Sequence, residues 1–247
     1  MNEQDKEILR LQCIIRDLEE KNEELEQFVS HATHDFKEPV RTMGIGAEVL
    51  LKKYKDKLDA EALQMLEYIL SSSKRFDKIV SVLKNYTKAD KGKLHIKKVK
   101  LEKIVNEVLE DINILLKATR AKVIVDKLPE IETDTEKLKM VFTNVIDNAL
   151  KYKGNKQPEI HIGASENQTH FTIYVEDNGI GIEESKQAHI LKPFERLHSK
   201  FEIEGVGLGL PLSQKILKRL KGELWLKSEA GKGTTIFITL PKKLYVE

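Results

Sequence analysis

Between Ile8 and Ala32 the chain repeats at alternating steps of three and four: Ile8, Leu11, Ile15, Leu18, Asn22, Leu25, Val29 and Ala32, with Glu, Lys and Arg filling the intervals. That alternation draws one stripe along a helix and fits the heptad seam of a coiled coil. Asn22 takes an a position, where a buried amide costs stability but selects a parallel two-stranded register, because there it can pair with its twin. The seam therefore predicts a homodimer. It runs on through Phe36, Met43 and Leu50, breaks around KKYKDKLDAE, and is followed by a second periodic stretch with Leu66, Ile69, Phe76, Val80 and Leu83. Two long helices joined by a short polar connection make a hairpin, and two hairpins make a dimeric four-helix bundle. The bundle is expected to end near Tyr86, before the polar stretch TKADKGKL.

From about Leu94 the texture changes to alternating strands and helices. KVKLEKIVNEVLEDINILLK reads as a strand end running into a helix, AKVIVD as a strand, and DTEKLKMVFTNVIDNALKYK as a helix opened by Asp134. EIHIGASENQTHFTIYVED reads as a hairpin, Leu210 to Leu220 as a helix, and GELWLKSEAGKGTTIFITLP as a second hairpin around Gly231 and Gly233. The expected fold class is α+β. A coiled coil at 1–30 leads into a helical bundle at 31–88, a linker at 89–96 and an α/β sandwich at 97–243.

Charge narrows the partners. The 247 residues carry 42 Lys plus Arg against 40 Asp plus Glu, a formal net charge of +2, which lacks the field of a nucleic-acid binder. The single cysteine, Cys13, excludes an internal disulfide and a cysteine metal cage. No apolar run reaches membrane-spanning length, so no membrane segment is expected and the protein reads as cytoplasmic.

Two histidines, His31 and His34, lie in HATHDFKEP. A neutral imidazole is a competent nucleophile near pH 7, and Asp35, next to His34, can accept the ring proton or fix its tautomer. With Val29 at a, His34 falls at f, outside the seam, and His31 falls at c with no acid beside it. His34 is the expected nucleophile and His31 a bystander. Pro39 withholds the N–H that would bond the Asp35 carbonyl, so the helix is expected to loosen one turn beyond His34. Lys37 and Arg41 share the face of His34 and can steady a transferred phosphoryl group.

Asn144 and Asn148 are four apart on the predicted helix, and Lys151 and Tyr152 follow on the same face. Amide oxygens are hard ligands suited to Mg²⁺, and a lysine offers phosphate a point charge. Asp177, at a strand end, offers a carboxylate acceptor, while Gly179 and Gly181 leave room for a flat base against backbone. Gly205, Gly207 and Gly209 precede a helix N-terminus, whose free N–H groups favour phosphate.

Taken in order, these segments resemble the sensor histidine kinases of two-component systems. Residues from about Leu94 to Leu240 are similar to their gyrase-type ATP-binding domain: Asn144, Asn148, Lys151 and Tyr152 match the N box, DNGIGI the first glycine box, PFERLH the F box and GVGLGL the second glycine box. HDFKEP resembles the H box in its phytochrome-like form. The resemblance implies ATP and Mg²⁺ as cofactors, with Asn144 and Asn148 on the metal and Asp177 accepting from the adenine amino group. It implies that Gly205, Gly207 and Gly209 shape the phosphate lid, that Phe194 packs it, and that Arg196 or Lys151 touches the triphosphate. It further implies autophosphorylation of His34, onward transfer to an aspartate of a response-regulator receiver domain, and control by an upstream sensor domain or protein. Glu38 stands where many relatives have Thr or Asn to position water, which argues against phosphatase activity. The other classes weighed, a gyrase-like or serine-directed ATPase and a non-catalytic scaffold, fit the H box and the intact glycine boxes less well.

Overall fold

A single helix, α1, runs from Glu3 to Tyr54 and carries Pro39 in its interior. The computed structural model describes residues 3–89, 91–195 and 205–243. Pro39 does not interrupt the helical assignment, so the expected loosening does not break the rod. An interior proline costs one main-chain bond, and the many turns on either side keep theirs. A one-turn 3₁₀ segment at Lys55–Lys57 reverses the chain, and α2 follows at Ala60–Lys88. Asp59 caps α2: its Oδ1 accepts from the Ala62 N–H at 2.8 Å.

The stripe of α1 that turns to α2 is not the heptad seam. Thr33, Gly44 and Ala47 are its buried residues, and Ser73 and Val80 are those of α2. At the crossing, Ser73 Oγ donates to the Val40 carbonyl at 2.9 Å, and a Cβ on Gly44 would collide with the Ser73 side chain. Small residues let the helices approach here. The seam residues Ile8, Leu11, Ile15, Leu18 and Leu25 stay 51–60% exposed, and Phe36, Met43 and Leu50 are exposed with them. Intrachain packing thus consumes one stripe and leaves a second apolar stripe open.

The chain divides into two units, Met1–Thr87 and Lys88–Glu247. In the second, strand β1 (Ile96–Lys100) pairs antiparallel with β3 (Glu130–Asp134), and between them lie α3 (Leu101–Asp111), α4 (Asn113–Thr119) and β2 (Lys122–Val125). Helix α5 spans Thr135–Lys151, and strands β4 (Glu159–Glu166) and β5 (His170–Asp177) form the first hairpin. After the short α6 (Glu184–Gln187) come α7 (Gly209–Arg219) and the hairpin of β6 (Glu223–Glu229) and β7 (Gly233–Pro241). The main sheet has the order β2-β4-β5-β7-β6, antiparallel except for β2 against β4.

Register builds the core. Ile162, Val175, Ile236 and Leu226 form one row across the sheet, and Ala164, Ile173, Ile238 and Leu224 the next. Over them lie the buried faces of α3, α5 and α7; in α5 the pattern Leu138, Val141, Phe142, Val145, Ile146, Ala149 repeats at three and one. The opposite sheet face carries Tyr174, Phe237 and Trp225, the last two stacked at 3.8 Å.

Two features differ from the sequence reading. The helix expected after β1 splits at Ile112 into α3 and α4, and β3 was not anticipated. No described helix is long and apolar enough to cross a membrane.

Gly44→Leu should overpack the hairpin crossing and lower stability by about 1–3 kcal/mol. Gly46→Ala, with nothing near its added Cβ, should raise stability by up to about 1 kcal/mol. Urea unfolding followed by helical circular dichroism measures both, and equal effects at the two positions would contradict the crossing.

Candidate functional site

Helix α5 is placed by its cap. Asp134 Oδ1 accepts from the Lys137 N–H at 3.1 Å, and Oδ2 accepts from the His95 N–H at 2.9 Å, so one buried carboxylate fixes both the helix start and the preceding chain. The apolar face of α5 then dictates where its polar residues go. Asn144 and Asn148 are half-buried at the edge of the core. Asn144 Nδ2 donates to the Gly209 carbonyl at 3.2 Å and to Ser213 Oγ at 3.3 Å. Asn144 is therefore a strut to the first turn of α7, with its Oδ1 left over. No described residue hydrogen-bonds the Asn148 side chain. Lys151 pairs with Asp147 one turn back, which holds its ammonium in place.

The C-terminal end of α5 seats the first glycine segment. Tyr152 carbonyl accepts from the Ile180 N–H at 3.0 Å, and a side chain at Gly179 would strike that same carbonyl. Gly181 has φ +66° and its missing Cβ faces the Glu229 carbonyl, so only glycine fits there. Asn178 staples the neighbouring loop, with Oδ1 accepting from the Glu159 N–H and Nδ2 donating to the Gln157 carbonyl, both at 2.9 Å.

Asp177 ends β5 between these loops. Its Oδ1 accepts from the Gly179 N–H at 2.9 Å and from the Thr234 N–H at 3.2 Å. Burial pushes the carboxyl up to about 6, against the pull of those two N–H groups, which favour the ionised form. Oδ2 has no donor among the described residues. Thr234 is a member of this site that the sequence did not reveal, because it lies far along the chain at the start of β7 and acts through its backbone. Ser213, buried beneath Asn144, and Asp147 are two more.

The glycine segment before α7 is described from Gly205 onward. Phe194, at φ +65°, donates its N–H to the Gly207 carbonyl at 2.9 Å. Phe194 as a residue is 59% exposed, and the contact it makes with this segment is through its backbone. Gly209 opens α7 within van der Waals reach of Asn144. Arg196 lies outside the described residues.

In the first unit, His34 and Asp35 stand side by side on α1. Nδ1 and Oδ1 are 3.4 Å apart and the side chains are 79% and 78% exposed. His31 is exposed too, so burial does not separate the histidines; the neighbouring carboxylate does.

Comparison with known proteins agrees with this division of labour. Residues 24–92 match the His Kinase A (phospho-acceptor) domain, and residues 133–244 match the Histidine kinase-, DNA gyrase B-, and HSP90-like ATPase. Cyanobacterial phytochrome A of Nostoc sp. is 31% identical over 228 residues, 92% of this chain and 30% of its own length. The sensor protein kinase WalK of Staphylococcus aureus is 31% identical over 239 residues, 93% of this chain and 57% of that protein. The chain thus spans about a third of the phytochrome. Among solved structures, full-length ShkA in complex with AMPPNP superposes over 90% of this chain and 47% of its own, with TM-score 0.70 and 19% identity. The histidine kinase AdeS of Acinetobacter baumannii covers 83% of this chain and 95% of its own, with TM-score 0.59 and 18% identity. With a phospho-acceptor segment around His34 and an ATPase domain of this type after it, the chain belongs to the histidine kinases.

Proposed function

We propose that the chain is an ATP-dependent protein-histidine kinase core that phosphorylates His34 and passes the phosphoryl group to an aspartate of a response-regulator receiver domain. The observation that carries the reading is the convergence on α5. Asn144 ties it to the glycine-led start of α7, Asn148 has no hydrogen-bond partner among the described residues, and Tyr152 seats the loop that bonds Asp177.

The donor set fits the cofactors. Asn148 Oδ1 and the spare oxygen of Asn144 are neutral hard ligands of the kind Mg²⁺ accepts alongside phosphate oxygens and water. Bound Mg²⁺ would neutralise charge on the triphosphate during transfer. Asp177 Oδ2 is the acceptor for an adenine amino group, and Gly179 and Gly181 keep side chains out of its way. Gly205, Gly207 and Gly209 offer backbone N–H groups for phosphate near the start of α7. Lys151, once released from Asp147, adds a cation.

At the acceptor, a proton on Nδ1 facing Asp35 leaves the lone pair on Nε2. That nitrogen attacks the γ-phosphorus, the bond to the bridging oxygen breaks, and ADP leaves. The Nδ1 proton is then shared with Asp35, which stabilises the charged ring. Exposure of His34 suits an acceptor that must meet first a nucleotide and then a partner's carboxylate. The open seam of α1 supports a parallel homodimer, since large apolar residues at heptad positions are left exposed by the described residues. We also propose the domain limits 1–30, 31–88, 89–96 and 97–243 as the functional segments.

Incubation with γ-labelled ATP and Mg²⁺ should give a label that is lost in acid, kept in base, abolished in His34→Gln and retained in His31→Gln. A label that survives His34→Gln removes the acceptor assignment. Asn148→Ala should abolish labelling while the dimer persists in sedimentation; normal labelling would remove the metal site.

Asp177 gives a pH signature. Adenine donates to the ionised carboxylate more strongly than to the acid, so nucleotide affinity should tighten as pH rises through about 6 and level off above it. The ionised fraction grows about tenfold from pH 5 to pH 7 for such a group. Titration calorimetry of wild type beside Asp177→Asn should show that rise only in wild type, which cancels the titration of the nucleotide itself.

A further inference from the structure

The segment at 89–96 has the polar composition of a free linker, yet it is fastened. Arg219, in the last turn of α7, donates Nη1 to the carbonyls of Ala89 at 3.1 Å and Lys91 at 2.7 Å, and Nη2 to the carbonyl of Gly92. Ala89 is 1% exposed. Three residues later, the His95 N–H is held by Asp134, the cap of α5. The chain that leaves α2 is therefore pinned to the C-terminal end of α7 and then to the N-terminal end of α5.

Those two helices carry the candidate nucleotide residues at their other ends. Helix α7 starts at Gly209, and α5 ends with Asn148, Lys151 and Tyr152. Asn144 bonds the two helices together. An 11-residue helix is a rod of about 16 Å, so a shift of its glycine end moves its Arg219 end as one body. A guanidinium suits this task because its planar fork holds several carbonyls at fixed angles, where an ammonium offers one point of charge.

We propose that Arg219 is a positioning residue for phosphoryl transfer: by clasping the carbonyls of Ala89, Lys91 and Gly92 it fixes the path by which the chain enters the nucleotide-binding unit. This proposal rests on the kinase reading, and it assigns Arg219 no contact with nucleotide or with His34. Misplacing reacting groups by even 1 Å can cost about a hundredfold in rate, so loss of the clasp should act on turnover.

The test uses the full chain as wild type, Arg219→Ala and Arg219→Lys. Autophosphorylation at saturating ATP should fall at least about tenfold in Arg219→Ala, while KM for ATP and the Kd of a fluorescent ATP analogue stay within about twofold. Arg219→Lys should recover part of the rate, since one ammonium can still hold one or two carbonyls. Trypsin should cut after Lys88, Lys91 or Lys93 faster in Arg219→Ala than in wild type, a readout that does not depend on kinase activity. Unchanged turnover in Arg219→Ala overturns the proposal. So does a loss of turnover matched by an equal loss of nucleotide affinity, which would make Arg219 only a stabiliser of its own unit. A wild-type chain that takes no label, with its 88–93 segment still protected, refutes the kinase reading and the positioning role together but leaves the clasp standing.

Discussion

Asn144 donates its amide into the first turn of α7, and the spacing of the helices around the candidate nucleotide site follows from that bond. The contact sits among apolar side chains, where Ser213 is fully buried and its hydroxyl in turn donates to the Gly209 carbonyl at 3.0 Å. A satisfied bond of this kind contributes about 1 kcal/mol net, but removing one partner leaves a buried polar group unpaired at a cost of about 1–3 kcal/mol. The cluster therefore resists both separation and apolar replacement. With the N-terminal half of α7 fixed to α5 in this way, Gly209 lies against Asn144, and Asn148 follows one turn along α5 with no hydrogen bond to its side chain among the described residues. The same helix ends in a carbonyl that the Gly179 loop must approach so closely that a side chain has no room. One element thus sets the distance to both glycine segments.

Local periodicity is what made most of this legible. The heptad spacing, the three-and-one repeat of α5, the Asp134 cap and the two hairpins all depend on neighbours within a few residues, and the structure has α5, α7 and both hairpins at the expected places. The N box could be read because its asparagines share a face with no apolar period. Strand β3 escaped because Ile131 is its only large apolar residue; its other inward positions are Thr133 and Asp134, which are buried but polar. The break at Ile112 carries no glycine or proline to announce it. Phe194 was named through the resemblance alone, and its positive φ, which brings its N–H to the Gly207 carbonyl, has no mark in the sequence. The Arg219 clasp joins residues 127–130 positions apart, and no window on the sequence contains both partners.

Helix α1 shows how one helix can serve two neighbours. Its stripe of small residues, Thr33, Gly44 and Ala47, lies against α2, and Ser73 reaches across to a main-chain carbonyl. Its large residues, Phe36, Met43 and Leu50, project elsewhere. Small residues permit close approach but bury little area, so the hairpin by itself leaves much of its apolar surface in water. A second hairpin would remove that surface, and the f position of His34 would keep its ring clear of either seam. The heptad position thus bears on the chemistry as well as on the assembly, since it sets the side of the helix from which His34 projects.

The carboxyl of Asp177 is balanced between two opposing demands. Partial burial disfavours its charge, while the N–H groups of Gly179 and Thr234 favour it, and both of these donors converge on Oδ1. Thr234 is itself held through Ser228, whose hydroxyl lies 2.8 Å from the Thr234 hydroxyl and accepts from the Ile182 N–H at 2.8 Å. Gln187 closes the group by donating to the carbonyls of Ile182 and Ser228. The loop after Asp177 is thus tied to the adjoining ends of β6 and β7. A carboxylate whose charge is opposed by burial gains from a ligand that brings its own donor, because the new bond favours the ionised form. An acceptor poised in this way discriminates by hydrogen-bond polarity: a base edge that presents an amino group relieves the penalty, and one that presents a carbonyl adds to it.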